Sequence, residues 1–519
     1  LQTQRNTLAT ESWKARRVLR RFHIGLTALI NSSVIFLALL LAVFVGVRIG
    51  TAPLNYQDII TYLALIAIVI IVFQKHGLEI GFFTWIAMFA LGFRTIKANT
   101  PLIVARIAND GRPDTTFLTT GLTPILRIHP LFVIIFLLIG ILLLQRAVHR
   151  RTQVVWLLPK ILLFFSLFWI WGWARGVETG TNWVDRFYEI STFLMIAPIF
   201  VVTATLLQNK ALWKPAVAAF FVTGAFIAFM GLLEIVFPAI RQVIPAFISS
   251  EQSYYLTQEG FVRGIFSFWG QSGAAFVVAI TMPLIICLWS WHRLPSQRIF
   301  YLVCLALDVI GVYVAGWRSL WLLMILVTLG LLLLRGRWLG AVGFILLLVV
   351  TYSFLPLQTQ QRVDSLLIDI QGNYQDNSAA VRAGRIQAAI QTIENNPLGV
   401  GWNGAGWVHN DFLQITADLG VIPGLLFAIW YLRTLFGIGR AFYESPDPLK
   451  LALVGAFAIC GGLMLLQPMI VLAQYIAPIW FVWALVETKL RQTADEKVSH
   501  GADEAVGIGS NLQLPSPSA

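Results

Sequence analysis

Two arginines and a histidine are the residues in this sequence whose types and spacing could do chemistry. Arg382 and Arg385 lie one helical turn apart in a polar stretch from Pro356 to Val408, and His409 follows at the head of the next apolar run. Guanidinium groups bind anionic oxygens in planar, bidentate fashion, and an imidazole titrating near neutrality can accept a proton at physiological pH. Residues 356–408 are therefore read as an extracytoplasmic active-site loop. Arg263 and Arg318 extend the set if they stand on the same side of the molecule.

The elements that must position these residues follow from composition. The chain has 519 residues, 58% hydrophobic and only 12% charged, whereas a soluble domain carries about 25% charged residues. Apolar runs of about 16 to 24 residues recur, and in hydrocarbon only helices or closed barrels satisfy the backbone. The expected fold is an all-α polytopic membrane protein with about 12–14 transmembrane helices and one large extracytoplasmic loop. Candidate spans fall near 24–47, 58–74, 79–94, 131–146, 154–174, 189–208, 215–237 and 270–291, then 299–315, 317–334, 338–355, 411–439, 451–472 and 474–489. Residues 1–23 form a basic cytoplasmic leader, 24–489 the transmembrane domain containing the loop 356–408, and 490–519 a disordered cytoplasmic tail. The first apolar run is too long, and too far behind polar residues, for a cleavable signal peptide.

The net charge of +12 does not point to nucleic acid, because the basic residues sit in short clusters between apolar runs, where they set topology. HRLPSQR at 292–298 and LRGRW at 334–338 are short basic loops and so cytoplasmic. That places Gly316 to Ser319 outside, and with them Arg263, Arg318, the loop arginines and His409. Arg94, Lys97, Arg106, Arg112 and Arg127 all fall between the third and fourth spans, on the side expected to be external. Cys287, Cys304 and Cys460 lie inside expected spans and read as structural thiols, not as disulfide or metal ligands. Lys160 and Asp308 also fall within spans, where charge is costly and usually paired.

Within the loop, NSAAVRAGRIQAAIQTIENNPLG reads as a helix with Ile386, Ile390 and Ile393 as its apolar stripe, stopped by Pro397 and Gly399. The glycines at 399, 401, 404 and 406 allow a tight backbone before His409. Asn410 or Asp411 can hold the His409 ring, though Asp411 can equally cap the next helix. Trp402 and Trp407 can sit in an interfacial belt or stack on the flat face of a ligand. Each charged residue has a plainer role open to it: snorkelling at a span end for Arg263 and Arg318, and a solvated helix face for Arg382 and Arg385.

The string NPLGVGWNGAGWVHNDFLQITADLGVIPG, with RGIFSFWGQSGAAF at 263–276 and AGWRSLW at 315–321, resembles the O-antigen ligase and O-antigen polymerase family of integral membrane glycosyltransferases. The resemblance covers residues 260 to 440. The sequence departs from the family pattern at Trp317, Ser319 and Asp418, leaving the arginine, the histidine and the sign of the charge intact.

The resemblance implies a C-type glycosyltransferase fold in a bacterial cytoplasmic (inner) membrane, with both termini cytoplasmic and the loop periplasmic or extracellular. It implies transfer of a glycan from a polyprenyl (undecaprenyl) diphosphate carrier to an acceptor hydroxyl in cell-envelope polysaccharide biosynthesis, without cofactor or metal. The acceptor would be a glycan, a lipid or a protein. His409 would act as base and Arg318, Arg382, Arg263 and Arg385 would bind diphosphate, supported by Asn410, Asp411 and Trp407. Two other classes stay open: a membrane transporter, either a lipid-linked oligosaccharide flippase or a small-solute or inorganic carbon permease, and a noncatalytic assembly protein.

Overall fold

A computed structural model describes residues 77–90, 104–107, 113–118, 130–149, 154–180, 194–237, 273–291, 294–370, 377–402, 404–467, 469 and 473–510. The basic leader, the expected spans at 24–47 and 58–74, and Arg263 lie outside the described residues. The chain divides into two compact units, Leu1–Trp85 with Phe93–Val155, and Ile86–Gly92 with Trp156–Ala519.

The first unit holds most of α1 (Gly77–Ala87), a two-stranded hairpin and α2 (Pro130–His149). The hairpin pairs β1 (Val104–Ile107) antiparallel with β2 (Pro113–Leu118), setting Arg106 opposite Asp114 in the register. It occupies the segment between the third and fourth expected spans, where no helix was expected. Val104, Ile107, Thr115, Thr116 and Phe117 in these two runs suit a strand better than a helix.

The second unit is built of helices, with non-helical turns between them among its described residues. It runs α3 (Pro159–Glu178), α4 (Ile196–Leu206), α5 (Trp213–Val236), α6 (Gly273–Thr281), α7 (Ile285–Trp291), α8 (Pro295–Val314), α9 (Arg318–Leu334), α10 (Trp338–Phe354), α11 (Leu357–Ile370) and α12 (Asn377–Asn395). After the polar turn come α13 (Asp411–Leu419), α14 (Val421–Glu444), α15 (Pro448–Leu466) and α16 (Ala473–Ser510). Starts follow local rules: Pro159, Pro295 and Pro448 open their helices where a missing N–H costs nothing, and Asp447 caps α15 by accepting from Leu449 N. Gly316 and Gly336, both at positive φ, make the two turns of the α8–α9–α10 hairpins.

Among the described residues five helices are long and apolar enough to cross a membrane, Pro159–Glu178, Lys210–Val236, Pro295–Val314, Val421–Glu444 and Pro448–Leu466, and shorter apolar helices accompany them. The protein is thus a helical, membrane-embedded one. α15 is the hub. Its Phe457 lies against Tyr431 and Trp483, and Trp430 meets Trp483 at 4.2 Å, in a core of aromatic rings from α14, α15 and α16. α9 runs antiparallel to α15: Gly455 faces Leu331 and Gly462 faces Leu323. α10 instead leaves Leu339, Leu346, Leu347 and Val350 exposed, the face a lipid tail covers.

Two expectations change here. The single span foreseen at 411–439 is two helices, α13 and α14, broken at Gly420, whose φ of 106° only glycine adopts readily. The tail foreseen as disordered continues α16 as far as Ser510, with 511–519 outside the described residues. Ionic pairs favour that extension: Arg491 with Asp495 one turn on, and Lys210 with Glu496 at 2.9 Å, while Gln492 donates to the Leu207 carbonyl.

Candidate active site

The site begins with a clasp between α3 and the Asn-Pro turn. Trp171 Nε1 donates to the carbonyls of both Leu398 (3.2 Å) and Leu419 (3.1 Å), Arg175 Nε donates to Gly399 O at 3.1 Å, and Thr179 Oγ1 donates to Val400 O at 2.7 Å. Trp402, buried, returns its indole N–H to Trp169 O at 3.2 Å. A turn has no ladder of its own, so these side chains satisfy its carbonyls. Trp402 is therefore packed inside the clasp, not presented to a sugar.

Glycines make the approach possible. A Cβ on Gly401 would lie 2.3 Å from Gly176 Cα, and one on Gly172 would lie 2.6 Å from Trp402 Nε1. Gly399 and Gly401 also sit at φ of 85° and 88°. Beyond them a buried relay shapes the backbone ahead of the histidine. Val408 N donates to Gln414 Oε1 (2.7 Å), Gln414 Nε2 donates to Asp418 Oδ2 (2.8 Å), and Asp418 Oδ1 accepts from Ala405 N (3.3 Å). Two residues of α13, four positions apart on one face, thus hold the segment 405–408 in place.

His409 emerges at the end of that segment, half-buried. Its Nδ1 lies 3.2 Å from Oε1 of Gln467, the residue that closes α15. Burial lowers its pKa below the ordinary 6.5, the positive charge of Arg382 lowers it further, the bond to Gln467 raises it, and Arg385 again lowers it. The structure therefore brings together His409 and both arginines of α12, the helix expected from the loop sequence. Asn410 caps α13, its Oδ1 accepting from Leu413 N at 3.0 Å, while Asp411 is the buried first residue of that helix. The ring is thus held from α15, and the capping role falls to Asn410. Trp407 stays half exposed next to the site.

Arg318 starts α9 and donates from Nη1 to Ser365 Oγ of α11 at 2.6 Å. Because α9 and α15 are antiparallel, Arg318 and Gln467 stand at the same end of neighbouring helices. Phe276, whose ring lies 4.5 Å from Trp317 and 5.8 Å from Tyr475, brings α6 and α16 to that end as well. The loop helix α11 is fixed there by Arg362, which is buried and donates from Nε and Nη2 to Gly316 O at 2.9 and 2.7 Å, and by Thr359 against Tyr313 at 2.9 Å.

Gln467, Gln414, Asp418, Arg362, Trp171 and Arg175 were not among the site residues expected from sequence. Gln467 announced itself only as a polar residue before Pro468 at the end of an apolar run. Among the described residues no group of three or more His, Cys, Asp or Glu could hold a metal ion. In comparisons with known proteins, the chain matches no family model and no curated protein.

Proposed function

We propose that this protein is a membrane glycosyltransferase of the O-antigen ligase or polymerase type, moving a glycan from a polyprenyl diphosphate carrier to an acceptor hydroxyl at the outer face of a bacterial cytoplasmic membrane. The observation that carries the reading is the placement of His409 within the field of Arg382 and Arg385, where the bond from Gln467 also reaches it. As the glycosyl bond breaks, charge grows on the departing diphosphate, and two arginines one turn apart can donate hydrogen bonds to its oxygens. The acceptor hydroxyl must lose a proton at the same moment. A histidine kept neutral by burial and by cationic neighbours is ready to take it. Arg318, at the same end of the helices, supplies a third positive charge to the donor.

The test uses purified protein in lipid, a polyprenyl diphosphate oligosaccharide and a panel of hydroxyl acceptors, with EDTA present. Release of polyprenyl diphosphate coupled to glycan transfer, lost by about 100-fold or more in His409→Ala and Arg382→Ala, is the expected result. Failure of every acceptor, together with movement of the donor across vesicles that survives both substitutions, would replace the transferase with a transporter.

A further inference from the structure

We propose that Gln467 is a positioning residue that fixes the His409 tautomer, making Nε2 the atom that receives the acceptor's proton. The inference rests on the transferase reading and adds which nitrogen acts and what holds it. With the Gln467 amide turned so that Oε1 faces the ring at 3.2 Å, the hydrogen of this contact belongs to Nδ1, because an amide oxygen only accepts. With Nδ1 protonated in the neutral ring, the lone pair lies on Nε2.

Gln467 is well placed to enforce this. It is buried and terminates α15, with its backbone N donating to Leu463 O (2.9 Å) and its carbonyl accepting from Met469 N (3.0 Å). Its amide is therefore mounted on the most buried of the five candidate membrane spans, while Arg382 and Arg385 ride on α12 of the loop. Base and anion-binding groups thus have separate supports.

In the transfer step the acceptor oxygen forms its bond to the anomeric carbon as its O–H bond breaks and the proton passes to Nε2. The bond from the anomeric carbon to the diphosphate oxygen breaks, and its electron pair leaves on the diphosphate. The positive charge created on the ring is delocalised onto Nδ1–H, where the Gln467 oxygen stabilises it.

The experiment is nitrogen NMR of full-length protein carrying 15N-histidine in lipid nanodiscs, at mildly alkaline pH. His409→Gln identifies the His409 signals among the seven histidines. The parent is expected to show Nδ1 protonated and Nε2 bare. Gln467→Glu, which keeps an acceptor oxygen, should hold that tautomer, and Gln467→Leu should lose it. In the transfer assay Gln467→Leu should lower kcat at least about tenfold with KM little changed, and Gln467→Glu should retain more of it. A parent ring protonated on Nε2, or a tautomer unmoved by Gln467→Leu, would overturn the inference. Absence of transfer by the parent would overturn the transferase reading, while the spectrum still decides the tautomer.

Discussion

Gly401 and Gly176 meet backbone to backbone: a Cβ added to the first would lie 2.3 Å from the Cα of the second. Nothing flexible can give way there, and Gly401 also holds a φ of 88°. Gly401→Ala should loosen the clasp, lowering the thermal midpoint in detergent by several degrees and reducing transfer. Gly384→Ala is the control, since nothing lies within 4 Å of its Cβ position in the middle of α12. It should be neutral or stabilise by about 0.5 kcal/mol.

The relay through α13 makes a second prediction. Asp418→Ala leaves Gln414 Nε2 and Ala405 N without their acceptor in a buried place. The cost should be about 3 kcal/mol, read from unfolding in a mild detergent. Gln414→Leu should cost a similar amount, because it leaves Val408 N without its acceptor and Asp418 Oδ2 without its donor.

The two loop tryptophans should part company. Trp402→Ala empties a buried site and should cost about 3 to 5 kcal/mol, with loss of activity following unfolding. Trp407, half exposed, should be replaceable by alanine with little change in melting temperature. A fall in acceptor KM performance without a stability change in Trp407→Ala would place that ring against substrate.

The pH profile tests His409. Its folded pKa lies below 6.5, first because it is buried and next because Arg382 is near, with Arg385 adding to the effect and Gln467 opposing it. The base is therefore neutral down to a pH below 6.5, and kcat/KM should fall only below that value. Arg382→Gln should move this acidic limb upward, and Arg385→Gln should move it by less. Stability carries the same sign. The unfolded chain binds the proton first as pH falls, so any contribution from His409 is present above about 6.5 and is lost as pH drops through the folded pKa.

The loop's first helix should depend on one arginine. Arg362→Ala removes both donors to Gly316 O, and Arg362→Lys cannot reproduce the guanidinium's planar fork. Hydrogen exchange over 357–370 should rise in both variants, more in the alanine one, while exchange in α15 stays slow.

Legibility in the sequence followed the range of the interaction. The helix around Arg382 and Arg385 could be read because its apolar stripe and its Pro-Gly stop are local, and it runs from Asn377 to Asn395. The continuous apolar run after His409 hid the break at Gly420, because the pressure there comes from the Pro397 and Leu398 backbone, which no periodicity encodes. The helical extension of α16 was hidden likewise, since Lys210 and Glu496 are far apart in the chain. Gln467 escaped notice because a lone glutamine has no chemistry until a histidine faces it.

The clasp also imposes an order on biogenesis. Arg175 waits for a carbonyl 224 residues downstream, and Trp171 for one 248 residues away. During synthesis from the amino terminus, α3 enters the bilayer long before the turn that will seat on Gly172 and Gly176 exists. Its polar groups must meanwhile be satisfied by headgroups or by an attendant insertase. A nascent chain bearing the loop arginines therefore lacks the contact between His409 and Gln467 until α15 has been inserted, so on the proposed transferase reading its site is assembled only when the membrane domain is almost complete.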